Sequence, residues 1–359
     1  MARAGAARRY PAQPDRGARP APLAQQGRPW HCPPALRGTQ PARRGGAELH
    51  RQSFVAASPS LSIMLPIRYV EPVFRPPSEA DSLILPVTDG CSWNKCTFCE
   101  MYTAPQKAFR ARGEDEVLES IRRTGERYGN QVRRVFLADG DALVLPTRRL
   151  LSYLEAIREH LPAVHRVSSY CLARNLARKT VAELRTLAEA GLKLAYLGAE
   201  SGDDEVLARV NKGETFESTR AALDKLGEAG ISRSVMILNG LGGQALSNQH
   251  ADNSARLANA TQPEYLSTLV VTLHDQGRRF MEAWPAWQAL DPQGLFVEME
   301  RFLSALELRR TVFRSDHASN WLVLKGNLGA DKARLLADVR AAIERPDAAP
   351  LRAAWQRGL

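Results

Sequence analysis

From residue 83 onward the chain alternates short apolar or β-branched runs with amphipathic helical patterns, six times in succession. The predicted strands are 83–88, 133–139, 166–172, 193–199, 232–239 and 265–273. The helices predicted between them are 114–127, 147–160, 180–190, 215–229 and 247–260. The strands read as nearly continuous apolar runs, as parallel strands covered on both faces do. Thr147, Thr180 and Ser247 stand where helices should begin, and Gly191 and Gly230 where they should end. Six consecutive βα units admit a doubly wound sheet or a partial barrel, and both put chemistry at the carboxyl ends of the strands.

Polar and glycine-rich residues collect at that rim. A cysteine loop follows strand one, Asp139-Gly140-Asp141 follows strand two, and Ser168-Ser169-Tyr170 lies at strand three. Glu200-Ser201-Gly202 closes strand four, Gly240 to Gly243 closes strand five, and His274-Asp275 closes strand six. The expected organisation is a lead-in at 64–82, a core at 83–275 and a mainly helical extension at 276–359. In the extension the pattern gives helices near 279–290 and 293–309, a strand at 311–314 and a last helix near 330–344.

The net charge of +10 raises the question of a nucleic-acid partner, but residues 1–63 hold ten Arg, no Lys and two acids. That stretch carries +8 and the remaining 296 residues only +2, so nucleic acid is not supported. Residues 1–63 are rich in Ala, Arg, Pro and Gly without apolar period and read as disordered. A basic arm, a targeting peptide and a start site upstream of a true start at Met64 compete, and the composition favours the last. No apolar run reaches the roughly 20 residues that span a bilayer. A soluble, cytoplasmic protein without a membrane partner is expected.

The five Cys are Cys32, Cys91, Cys96, Cys99 and Cys171, a pattern unlike a secreted disulfide framework. Three of them fall in Gly90 to Tyr102 (GCSWNKCTFCEMY), with gaps of four and two residues. Three thiolates on one short loop can reach one metal centre. A structural zinc takes four protein ligands, and no His lies between residues 51 and 159 to supply the fourth. A three-Cys set with an open position suits a four-iron cluster better than zinc or free thiols.

The loop resembles the signature of the radical S-adenosylmethionine superfamily, in which three Cys hold a [4Fe-4S] cluster and an aromatic residue, here Phe98, precedes the last. The first gap is four residues here against the commoner three. The resemblance runs from about residue 83 to 275, and broadly suits the group containing the Elongator catalytic subunit and oxygen-independent coproporphyrinogen oxidases. It implies an α/β fold, a partial (β/α)6 barrel of the radical SAM type, with Cys91, Cys96 and Cys99 as metal ligands. It further implies that Asp139 or Asp141 receives the amino group of S-adenosylmethionine and that Glu200 binds the ribose hydroxyls. Arg209 or Lys212 would meet the carboxylate, and backbone around Gly240 and Gly242 the adenine. The implied activity is reductive cleavage of S-adenosylmethionine to a 5′-deoxyadenosyl radical acting on an open substrate, fed by a flavodoxin- or ferredoxin-like one-electron donor. Auxiliary-cluster subfamilies lack Cys sets here, and residues 64–82 leave no room for a cobalamin domain.

Each match has a plainer reading. Asp139, Asp141 and Glu200 could cap helices, Arg209 and Lys212 could be an exposed helix face, and Ser168, Ser169 and Tyr170 could be locally satisfied. Cys171 reads as inert core, Trp93 as a shield for the cluster, and His274 as a substrate contact or a surface loop residue. Arg314, His317 and Asn320 either close a pocket or pin the extension to the barrel. The competing class is a non-catalytic cluster or zinc protein, or a barrel that binds S-adenosylmethionine without radical chemistry.

Overall fold

The computed structural model describes residues 66–273 and 277–357, all within one unit of the chain. The readings on residues 1–63, Cys32, Met64, His274 and Asp275 lie outside the described residues. The strands are β1 (Leu83–Pro86), β2 (Thr88–Asp89), β3 (Arg110–Ala111), β4 (Arg134–Ala138), β5 (Arg166–Cys171), β6 (Leu192–Glu200), β7 (Ser232–Asn239), β8 (Tyr265–Val270), β9 (Thr311–Ser315) and β10 (Leu324–Leu328). The helices are α1 (Glu114–Tyr128), α2 (Thr147–His160), α3 (Ala173–Ala177), α4 (Val181–Glu189), α5 (Asp204–Arg209), α6 (Phe216–Glu228), α7 (Gly243–Thr261), α8 (Arg278–Ala283), α9 (Pro292–Ala305) and α10 (Lys332–Glu344).

Strand order decides between the two architectures. One eight-stranded sheet runs β1-β4-β5-β6-β7-β8-β9-β10, parallel from β1 to β9, with only β10 antiparallel. The order never reverses, as it must in a doubly wound sheet. The helices also cover one face. Val135, Leu137, Leu197, Val235 and Ile237 share a core with Ile121, Leu154, Leu187 and Leu226 from the helices. Their neighbours Phe136 and Ala138 point the other way, into a separate small cluster with Val73 and Ile84. Among the described residues β1 and β10 do not pair, so the barrel is partial.

Local chemistry explains most element boundaries. Thr180 caps α4 in a reciprocal box with Glu183, and the left-handed Gly191 and Gly230 follow α4 and α6 as expected. Thr147 is instead the first residue of α2, behind Pro146, and Ser247 lies inside α7, which begins four residues earlier at Gly243. The helix expected at 279–290 stops at Ala283, because Pro285 drives Trp284 out of the helical region. The strand expected at 265–273 ends at Val270, where Ser319 and Asn320 accept from the Val270 N–H and Asn320 donates to Thr268 O.

The extension contributes more sheet than its sequence suggested. β9 pairs with β8, and β10 (LKGNL), whose Gly and Asn hide its strand character, pairs with β9. The sheet therefore continues across residue 275. No helix among the described residues is long and apolar enough to cross a membrane.

Candidate active site

The cysteine loop leaves β2, and each of its sides is tied down. Gly90 makes the turn at φ +70°, and a Cβ there would sit 2.0 Å from Lys107 O. The Asp139-Gly140-Asp141 turn after β4 braces the same stretch: Gly90 N–H donates to Asp139 Oδ2 (3.2 Å), Gly140 N–H to Gly90 O (3.0 Å) and Ser92 N–H to Asp141 Oδ1 (3.1 Å). On the far side, Thr97 N–H donates to Val210 O (3.0 Å) and Trp93 Nε1 to Asn211 O (2.9 Å). The Trp93 ring lies under the Arg174 guanidinium at 3.6 Å. From α8, Arg279 donates to the carbonyls of Cys99 (3.1 Å) and Cys96 (3.4 Å).

Cys91, Cys96 and Cys99 are half-buried and unpaired. Burial pushes all three thiols up, Cys99 to about 12, so ionisation needs the positive charge of a bound metal centre. Among the described residues no three His, Cys, Asp or Glu side chains are grouped to hold a single ion. A four-iron cluster makes no such demand, because each thiolate takes its own iron.

Facing the thiols is a buried ion pair. Lys212 Nζ lies 3.1 Å from Glu200 Oε1, with both side chains less than a tenth exposed. Burial opposes the Lys212 charge, but the Glu200 carboxylate outweighs it and holds its pKa above the ordinary value. Glu200 ends β6 at φ +65°, a conformation that costs a non-glycine residue about 1–3 kcal/mol, and the β6–β7 register shifts there. Gly198 makes room: a Cβ there would sit 2.1 Å from Glu200 Oε1. Glu200 Oε2 and Asp139 Oδ1 are buried without a hydrogen-bond partner. Unsatisfied acceptors of this kind fit a polar cofactor beside the thiols.

Residues 85–253 match the Radical SAM superfamily. Over that stretch the chain is similar to the radical SAM superfamily. It is 21% identical over 178 residues to the heme chaperone HemW of Bacillus subtilis, covering 48% of this chain and 46% of that protein. The chain thus spans less than half the length of that curated relative. Coproporphyrinogen III oxidase (HemN) of Escherichia coli aligns with a TM-score of 0.49 at 18% identity, over 62% of this chain and 52% of that one. Methylornithine synthase (PylB) aligns with a TM-score of 0.46 at 15% identity, over 76% and 74%.

The residues singled out from sequence fall into two groups. The three Cys, Glu200 and Lys212 come together. Arg209 does not join them: its side chain is 45% exposed, pairs with Glu205 at 2.7 Å and lies 5.2 Å above Trp284. α5 ends at Arg209, and the chain turns through the left-handed Asn211, which returns Lys212 inward. Asp141 has both oxygens engaged, by Ser92 and by Asn175 (2.7 Å), and serves as a brace for the cysteine loop. Asp139 shares Oδ2 between Gly90 and Lys107 and keeps Oδ1 free. Gly240 donates its N–H to Glu298 Oε1 (2.6 Å) and accepts from Gly243, so its backbone is already engaged, and Gly242 leads into α7.

Ser168 and Ser169 donate to strand carbonyls, and Cys171 is buried in β5. Asn320 satisfies the β8 edge, and Arg352 donates to the carbonyls of Asp316, His317 and Asn320, so this polar segment is a structural network. Arg314 donates to Phe313 O and is exposed.

Three contributors carried no sequence signal. Arg279 acts on the cysteine loop from a distant segment, and Lys107, five residues past Tyr102, acts on it through Asp139. The third is a buried network in which His250 Nδ1 meets Ser201 Oγ (2.8 Å) and Glu298 accepts from Gly240 and from Ser247 Oγ (2.6 Å). It ties α7 and α9 to the loops after β6 and β7.

Proposed function

We propose that this chain cleaves S-adenosylmethionine reductively and directs the resulting radical at a substrate of its own. The observation that carries this reading is the set of three half-buried thiols on one braced loop, opposite a buried Glu200–Lys212 pair with a free carboxylate oxygen. Cys91, Cys96 and Cys99 would hold a [4Fe-4S] cluster. When bound, such a cluster supplies the electron that splits S-adenosylmethionine into methionine and a 5′-deoxyadenosyl radical able to take a hydrogen atom.

The residues of the chain bind and orient. Glu200 Oε2 accepts from the ribose hydroxyls, while Lys212 stays charged beside Oε1 and can meet the methionyl carboxylate. Asp139 Oδ1 is the acceptor left for the amino group. A small one-electron donor of flavodoxin or ferredoxin type completes the cycle.

Anaerobically reconstituted protein, reduced with dithionite and given S-adenosylmethionine, should release 5′-deoxyadenosine. A colourless zinc protein, or a brown one without that product, overturns the reading. Gly198→Ala tests the ribose subsite. Its new Cβ meets the end of the Glu200 side chain and no backbone, so the fold should be kept while the melting temperature falls as the buried Glu200–Lys212 pair shifts. Affinity for S-adenosylmethionine should fall about tenfold or more with the loss of a charge-assisted hydrogen bond. Unchanged affinity by equilibrium dialysis would remove Glu200 from that role.

A further inference from the structure

Behind the cysteine loop the face of the sheet opposite the helices carries Phe136, Tyr170 and Tyr196, in mutual edge contact with centroids 5.0 to 6.1 Å apart. The segment preceding β1 lies against this face: Val73 packs with Ile84 and Phe136, and the Tyr69 hydroxyl donates to Ile84 O (2.9 Å). Two carboxylates here are matched by cations. Glu79, fully buried, accepts from Arg166 (2.8 Å) and from the Tyr196 hydroxyl (2.6 Å), and Asp139 is held by Lys107 (2.6 Å).

Arg75 is not matched. It is 8% exposed, its Nη1 is buried without an acceptor, and no carboxylate among the described residues pairs with it. The Tyr102 hydroxyl and Asp139 Oδ1 are also buried and unpartnered. These groups are neighbours. Phe74, next to Arg75 in the chain, meets the Tyr102 ring edge-on at 5.5 Å, and Val73, two residues before Arg75, shares an apolar cluster with Tyr170 and with Ala138, the residue before Asp139. A desolvated guanidinium N–H is costly to leave unmade, and unmatched polar atoms beside an aromatic wall are the make-up of a ligand site.

We infer that Arg75 anchors a carboxylate of the substrate, whose carbon body lies along Tyr170 with the Tyr102 hydroxyl as a polar contact on the side of the cysteines. This substrate class rests on the radical reading above. A carboxylate suits the site better than a phosphate: among the described residues around Tyr170, Arg75 is the one cation without an acid partner, and a dianion would call for a second.

The test uses the anaerobic holoenzyme and three probes, 3-(4-hydroxyphenyl)propionate, its primary amide and phenethyl phosphate, titrated by calorimetry. Wild-type protein should bind the acid at least about tenfold more tightly than the amide, the margin of one charge-assisted hydrogen bond. Arg75→Met should erase that preference while retaining the amide's affinity, which certifies its fold, and Arg75→Lys should keep part of it. The inference is overturned if acid and amide bind alike, if Arg75→Met keeps the preference, if phenethyl phosphate outcompetes the acid, or if the acid does not bind up to about 10 mM. Release of 5′-deoxyadenosine by the same wild-type preparation reports on the radical reading separately, since the titration needs only folded holoenzyme.

Discussion

Cys96→Ala should abolish iron binding. Removing one of three thiolates leaves a cluster with two protein ligands on a loop whose other contacts, from Thr97 and Arg279, are to backbone and cannot substitute. The reconstituted variant should hold less than about one iron per chain against about four in the wild type, and lose the brown colour. Release of 5′-deoxyadenosine should fall at least about a thousandfold, which corresponds to roughly 4 kcal/mol in the barrier. Cys171→Ala is the control. That thiol is buried in β5 and its one hydrogen bond is a weak contact of 3.6 Å to Tyr196 O, so iron content should stay at the wild-type value with about 1 kcal/mol of stability lost. Full iron in Cys96→Ala, or loss of iron in Cys171→Ala, would overturn the ligand assignment.

Lys107→Met should be the most destabilising single change at the site. Lys107 and Asp139 are 1% and 3% exposed and 2.6 Å apart. Removing one member of such a pair strands a buried charge and costs about 3–5 kcal/mol. Burial already raises the Asp139 pKa, against the pull of Lys107 and the Gly90 N–H, and without Lys107 it rises further. The sign follows from linkage: a carboxyl whose folded pKa exceeds its unfolded value loses stability as pH climbs from the lower value to the higher one. The deficit of the variant should therefore be largest at about pH 8 and shrink at about pH 5, where Asp139 can take up a proton. Urea denaturation of both proteins at the two pH values measures it. A deficit under about 1 kcal/mol at the higher pH, or one that grows on acidification, would show that the pair does not carry the brace of the cysteine loop.

Local information was enough to put the three Cys on one loop and to give most elements. The three Cys lie within nine residues, so their convergence needs no tertiary contact, and the βα alternation is written in periods a short window can detect. What failed locally failed for local reasons: Pro285 cut a helix short, and the Gly and Asn of β10 masked a strand that exists because β9 offers it an edge.

The choice of barrel over doubly wound sheet was not in the sequence, because both use the same units and differ only in which strands become neighbours. The roles of the charged residues were equally hidden. Arg209 and Lys212 are three positions apart and similar in type, yet one faces solvent and the other is sealed against Glu200, a difference set by the turn at Asn211. Asp139 and Asp141 looked alike, and only the placement of Lys107, Ser92 and Asn175 left the first with a free oxygen and engaged the second completely. Arg279 clamps a loop 180 residues before it, Glu298 holds Gly240 across 58 residues, and Arg75 gains meaning only from the acids that pair with other cations. By itself the sequence determined the grouping of the three Cys on one loop and the βα alternation, since those depend on spacing along the chain. Tertiary structure alone decided which charges are matched, because burial and partner choice are properties of the packed chain and of no segment within it.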